Sequence, residues 1–174
     1  MDDPADVTIR LARPSDLRHL AAVEDSGGAL LLDAFGDDIA PALLSPAPSG
    51  VDRALLPGFL LVADVDARVV GFAHVLDVER HAHLEQLSVT PEQGRRGIGS
   101  ALVEAALEEA RGEGYDAMSL CTYRDLPWNG PFYARLGFVE VRDPAPYQRR
   151  LHEHEIGLGL DRNGVRVVME RPVR

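Results

Sequence analysis

At 174 residues, with 45% apolar and 26% charged side chains, the chain is long enough to bury a substantial core without disulfide or metal staples. Its formal net charge of −10 argues against general nucleic-acid binding, which draws affinity from Lys and Arg neutralising phosphates. A single cysteine, Cys121, excludes an internal disulfide and fits a reducing compartment.

The start, MDDPAD, is acidic and lacks the basic and apolar regions of a secretory signal. No apolar run approaches the ~18 residues needed to cross a bilayer, so a cytoplasmic protein with no membrane partner is expected. VTIRLA (7–12) reads as a first strand. Pro14, Ser15 and Asp16 then open a helix that carries Leu17, Leu20 and Ala21 at helical spacing. From 26 to 58 short apolar runs alternate with Gly, Pro and Ser, which suits one or two short helices joined by loops whose ends the sequence does not mark. Asp33, Asp37 and Asp38 lie there and suit either a solvated acidic loop or a cationic ligand. FLLVADV (59–65), RVVGFAHVLDV (68–78) and HAHLEQLSV (81–89) are three strands on short connections, which favours an antiparallel meander.

After Val89 comes a glycine-rich loop and then SALVEAALEEAR (100–111), a helix with Leu102, Val103, Ala106, Leu107 and Ala110 on one face. AMSLCTY (117–123) is the next strand, and a helix between two strands is the usual crossover for parallel pairing. PFYARLG (131–137) is a short helix with Pro in its first turn and Gly at its end. FVEVRD and VRVVMERPV close the chain as strands, with HEHEIGLGLDRNG between them as a long irregular connection. The sum is one α/β domain over 1–174 with a mixed sheet.

The loop PEQGRRGIGS (91–100) is the strongest chemical signal. Gly94, Gly97 and Gly99 let the backbone turn sharply and approach a ligand. The following helix offers unpaired N–H groups and its positive dipole end, an anion site suited to a pyrophosphate. Arg95 and Arg96 add charge in an otherwise acidic protein. A plain surface loop, a dinucleotide-binding turn and a coenzyme A pyrophosphate site all compete for this segment. Against the dinucleotide turn, seven residues separate Val89 from Gly97, and Asp116 precedes the next strand instead of ending it. A P-loop is excluded because no Gly-Lys-Ser/Thr occurs.

LSVTPEQGRRGIGSALVEAAL resembles the cofactor motif of the GNAT N-acetyltransferase superfamily, and NGPFYARLGFVEV resembles that family's second hallmark. The motif's first position, usually Gln or Arg, is Gly94 here. The resemblance implies a mixed, mostly antiparallel sheet of six to seven strands flanked by helices, with a splayed parallel strand pair forming the cleft for coenzyme A. It implies acetyl-CoA as co-substrate and an unidentified primary amine as acceptor, and it tilts the assembly toward a homodimer. Pantetheine would pair along Leu87, Ser88 and Val89, and the phosphates would sit on Arg95, Arg96, Gly97, Ile98, Gly99 and Ser100. Tyr133 would protonate the departing thiolate, and Asn129 would bond a pantetheine amide.

Acetylating an amine requires removing a proton, because a lysine-like amine with a pKa of ~10.4 is almost entirely protonated at neutral pH. Alternation along 81–89 places His81, His83, Glu85 and Leu87 on one face, so His83 and Glu85 are rival bases, with surface polarity as the plain alternative. A zinc site from His81, His83 and Glu85 is disfavoured, since that spacing is common by chance, and no metal is expected. Cys121 sits in a core-like strand with no activating base nearby in sequence, which counts against a covalent route. A non-catalytic acyl-CoA sensor remains the alternative to an enzyme. Trp128 either lines the acceptor pocket or, the preferred reading, packs under its loop, and His152 and His154 read as solvated.

Overall fold

The computed structural model describes residues 7–174, so MDDPAD lies outside the described residues. Seven strands form one sheet in the order β1-β2-β3-β4-β5-β7-β6. They are β1 (Val7–Leu11), β2 (Gly58–Val65), β3 (Arg68–Val78), β4 (His81–Val89), β5 (Ala117–Tyr123), β6 (Val139–Glu140) and β7 (Arg166–Pro172). All neighbours run antiparallel except β4 and β5, which is the mixed, mostly antiparallel architecture expected from the sequence. Helices α1 (Leu17–Asp25), α2 (Gly28–Phe35), α3 (Gly50–Ala54), α4 (Ile98–Gly112), α5 (Gly130–Arg135) and α6 (Pro146–Gly157) flank it.

Each face of the sheet is covered differently. On one, α4 buries Ile98, Leu102, Val103, Ala106, Leu107 and Ala110 against Ala82 and Leu84 of β4 and Met118 and Leu120 of β5. Each large side chain there contributes roughly 1.5–3 kcal/mol by leaving water. On the other face, Leu20 and Val23 of α1 pack on Leu60, Val62 and Phe72, and α6 lies against β5 and β7. Arg10 pins the start of α1 to the sheet by pairing with Asp16 at 2.6 Å and Asp64 at 2.9 Å. Its guanidinium holds the Asp16 carboxyl below the usual carboxylate range.

One sequence expectation changes here and another gains its boundaries. The first half of the expected irregular connection 152–164 belongs instead to α6, which runs from Pro146 to Gly157. Pro146 starts the helix without a missing hydrogen bond, and Gln148 Oε1 accepts from the Ala145 N–H at 2.8 Å. The segment 26–58 folds as the expected short helices joined by loops, with α2, two 3-10 turns and α3, and is tied to the 3-10 turn after α6 by Asn163, whose Oδ1 accepts from Ala40 N at 2.7 Å.

Candidate active site

The site begins where two strands part. β4 and β5 pair only at Ala82↔Met118 and His83↔Ser119; beyond those positions the strands diverge. From Glu85 to Val89 the edge of β4 that faces β5 therefore has no strand partner, leaving its backbone groups available to an added extended ligand.

Beside that edge, the loop after β4 turns through Arg95 and Gly97, whose φ values are 62° and 78°. Gly97 caps α4 in a left-handed conformation with no side-chain cap. The backbone N–H groups from Arg95 to Ser100 find no protein acceptor among the described residues, and they stand at the positive end of a 15-residue helix. That is the donor set a pyrophosphate requires. Arg96 donates to Gln93 Oε1 and is drawn back toward the loop. Gly99 lies against α5, with Phe132 Cζ at 3.5 Å from where a Cβ would sit.

Contact with Gly99 brings α5 and Tyr133 to the mouth of the same gap. Tyr133 packs edge-on to Phe132 and Phe138, at 5.0 and 5.8 Å between ring centroids. Burial pushes its phenol above the usual tyrosine pKa, so it stays protonated at neutral pH and its hydroxyl can serve as a donor. The turn into α5 is tight: a Cβ on Gly130 would fall 2.2 Å from Arg124 O. Asn129 closes this turn, its Oδ1 accepting from Thr122 Oγ1 at 2.9 Å and from Tyr123 N at 3.4 Å. Its carbonyl is thus spoken for within the protein, and only its amide N–H₂ is left for a ligand.

The face assignment of β4 is corrected by a bulge. His74 pairs with Gln86 and Val75 with Leu84, so Glu85 is an extra residue without a partner on β3. Alternation reverses across it. Leu87 and Val89 join Ala82 and Leu84 on the α4 side, whereas His83 faces Ser119 on the other side. His83, Glu85 and Leu87 therefore do not share a face, although His83 Nε2 and Glu85 Oε2 remain 4.0 Å apart. Past the bulge, Gln86 Nε2 donates to Ser88 Oγ at 2.8 Å.

The two rival bases differ in environment. His83 is buried, its pKa pushed down to about 4 by desolvation, with Nδ1 2.9 Å from Ser119 Oγ. Glu85 keeps 46% of its side chain exposed. Crowding by protein raises its carboxyl pKa, as does Glu155 of α6, while Arg53, His154 and Arg166 oppose that shift. A raised carboxylate pKa makes a stronger base. Arg166, paired with Glu155 at 2.7 Å and stacked 4.4 Å over the Tyr123 ring, is the charge common to Glu85 and Tyr133.

An extended, partly unpaired strand, a glycine turn rich in free N–H donors and a half-buried tyrosine beside them agree with what a family model finds. That model, described as the Acetyltransferase (GNAT) family, matches residues 33–138. The chain belongs to the GNAT acetyltransferase family. Mycothiol acetyltransferases are among its relatives. The one from Clavibacter michiganensis subsp. michiganensis is 37% identical over 99 residues, covering 56% of this chain and 31% of that protein. The one from Frankia casuarinae is 29% identical over 147 residues, covering 80% and 38%. The chain thus spans about a third of the length of these curated relatives. Among solved structures, the paia N-acetyltransferase of Thermoplasma acidophilum in complex with coenzyme A superposes with a TM-score of 0.71 at 18% identity, over 96% of this chain and 99% of that one. A GNAT acetyltransferase from Brucella melitensis in complex with acetyl-CoA does so with a TM-score of 0.56 at 25% identity, over 78% and 84%.

Several polar groups around this family cleft carry no motif. Arg53 of α3 is buried, pairs with Glu24 of α1 and lies 3.1 Å from His74 Nδ1. Desolvation, with that guanidinium adding to it, holds His74 at about 4. Glu155 and Arg166 come from the unassigned helix and the last strand, 81 residues beyond Glu85 at the far end. Asp38 pairs with Arg162, which makes it a tie between loops. Trp128 is 42% exposed rather than packed under its loop. His154 is exposed as expected, whereas the His152 ring sits 2.9 Å from Arg166 O. Cys121 has its thiol pushed up to about 12 by burial, with Glu155 adding to the shift. Among the described residues, no trio of His, Cys, Asp or Glu is placed to hold a metal.

Proposed function

We propose that this domain transfers the acetyl group of acetyl-CoA to a primary amine, on a small molecule or a peptide, by direct attack within a ternary complex. The observation that carries the reading is the junction of the unpaired β4 edge with the free N–H groups of Arg95 to Ser100. Leu87, Ser88 and Val89 would pair with pantetheine. Arg95, Arg96, Gly97, Ile98, Gly99 and Ser100 would hold the phosphates, and the amide of Asn129 would reach a pantetheine carbonyl.

The chemistry follows from the groups at the gap. Glu85, half-exposed and raised in pKa, takes the proton from the acceptor ammonium, directly or through water. The neutral amine attacks the thioester carbonyl, and a β4 backbone N–H near Val89 stabilises the oxyanion. The C–S bond breaks, Tyr133 gives its proton to the departing sulfur, and the second amine proton, shed as the amide forms, passes through water to restore the phenol. His83 is held neutral and is not the base in this scheme. Cys121 forms no acyl intermediate, because its thiol is far from the thiolate form near neutral pH.

All 174 residues act as one domain in this reading. The cytoplasm is its proposed setting, supported by the single cysteine, and a homodimer is its proposed assembly, supported by family resemblance alone. No helix among the described residues is long and apolar enough to cross a membrane. The test is turnover of an amine panel with acetyl-CoA, read as free thiol. Amine-dependent thiol release is expected. Tight acetyl-CoA binding without turnover of any amine would reject catalysis in favour of an acyl-CoA sensor, and preference for NAD over coenzyme A would reject both.

A further inference from the structure

Behind His83 lies a buried hydrogen-bonded chain that the scheme above leaves unused. Ser119 of β5 is wholly buried. Its Oγ lies 2.9 Å from His83 Nδ1, and Tyr147 of α6, also buried, donates its hydroxyl to the same oxygen at 3.4 Å. The other ring nitrogen of His83, Nε2, faces the Glu85 carboxylate at 4.0 Å. His81 stacks on Tyr147, 4.2 Å between ring centroids, which helps hold that phenol in place.

A serine hydroxyl has one proton to give and lone pairs to receive. With the Tyr147 proton arriving on a lone pair, the Ser119 proton is directed to His83 Nδ1, which is then the bare nitrogen of a neutral ring. The opposite tautomer would aim the lone pair of Nε2 at a carboxylate, a repulsive arrangement in a partly desolvated site. Both considerations place the ring proton on Nε2.

We propose that Ser119, backed by Tyr147, is a positioning residue that fixes His83 as the Nε2–H tautomer, so that the ring turns its N–H toward the Glu85 carboxylate 4.0 Å away. The kinetic consequence rests on the reading of Glu85 as the base; the tautomer itself is a property of the resting protein. Glu85 also faces Glu24 of α1, Arg53 of α3, His154 and Glu155 of α6 and Arg166 of β7. None of these touches Nδ1 or Ser119 among the described hydrogen bonds and ion pairs, so a change at Ser119 reaches Glu85 through His83.

The test is the histidine tautomer in ¹⁵N-labelled protein near neutral pH, read from long-range ¹H–¹⁵N correlations, with His83 identified by the signals lost in His83→Gln. A protonated Nε2 and a bare Nδ1 are expected. Ser119→Ala should mix the tautomers and lower kcat/KM about threefold to tenfold. The acidic limb of its pH profile should move to higher pH, because Glu85 loses a facing N–H dipole that favours its charged form. Tyr147→Phe should shift both readouts the same way by a smaller amount. A wild-type ring proton on Nδ1 would overturn the proposal, as would an unmixed Nε2–H tautomer in a folded Ser119→Ala. Should that variant fail to fold, the wild-type spectrum and Tyr147→Phe decide. The expected tautomer alongside an undiminished Glu85→Gln rate would sustain the role of Ser119 and reject Glu85 as the base.

Discussion

Replacing Glu85 by glutamine keeps the shape of the side chain and removes its basicity. At pH 7 an amine with a pKa of ~10.4 is neutral in only about one molecule in 2,500, a deficit of ~4.6 kcal/mol. A positioned base recovers part of that, typically about a hundredfold to ten-thousandfold in rate. Glu85 is placed to do so where the β4–β5 gap opens, with its pKa raised by burial and by Glu155. Because 46% of the side chain is exposed, solvent screens its surroundings, and a loss of about a hundredfold in kcat/KM near pH 7 is expected. The loss should depend on pH in a particular way. Without a base, the variant can use only amine that is already neutral, a pool that grows about tenfold per pH unit below ~10.4. Thiol release from acetyl-CoA, measured across pH for both proteins, should therefore show the deficit shrinking by about tenfold per unit. A full rate near neutrality, or a deficit that stays constant as pH rises, would refute the assignment.

Tyr133→Phe should lower kcat by about a hundredfold or more while leaving acetyl-CoA binding near wild type by calorimetry; an unchanged kcat at every pH would remove Tyr133 from the chemistry. Gly130→Ala forces a Cβ to within 2.2 Å of Arg124 O, so the turn into α5 must open. Stability should fall by about 1–3 kcal/mol and the KM for acetyl-CoA should rise, whereas a wild-type melting temperature and KM would show that the turn is not rigid. Stability should also fall in mild acid. His74 and His83 are buried neutral with pKa values of about 4, against ~6.5 in an unfolded chain. Between those values the unfolded state binds more protons, so their contribution is present above pH ~6.5 and is lost as pH falls toward ~4, on the order of 3 kcal/mol each. A melting temperature that stays flat across that window would contradict it.

Much of this fold was legible because its strands are regular. The limits of β3, β4 and β5 agree with the sequence reading, since apolar and β-branched runs there end at clear turns such as Asp66-Ala67 and Glu79-Arg80, all at positive φ. The glycine turn and the start of α4 were legible for the same local reason. What escaped was set by contacts distant in sequence. On α6 the face turned toward the protein includes Gln148, His152 and Glu155 with Tyr147 and Leu151. The helical spacing is present, but half its positions are polar, satisfied by Glu170, Arg166 and Ser119. A hydrophobic period cannot reveal such a helix. The bulge at Glu85 was hidden because only the pairing register with β3 records it. Ser119 and Arg53 look like ordinary strand and helix residues until the fold sets them beside His83 and Glu24.

The most direct test of the cleft as an acetyl-transfer site varies acetyl-CoA and amine together and follows initial rates of thiol release. Direct attack in a ternary complex gives intersecting double-reciprocal lines, thiol release only when amine is present, and a Cys121→Ala variant within about twofold of wild type. Parallel lines, or a burst of thiol in the absence of amine, would mean that the acetyl group first moves onto the protein, and would contradict the assignment of Glu85 and Tyr133 as the pair that performs the transfer.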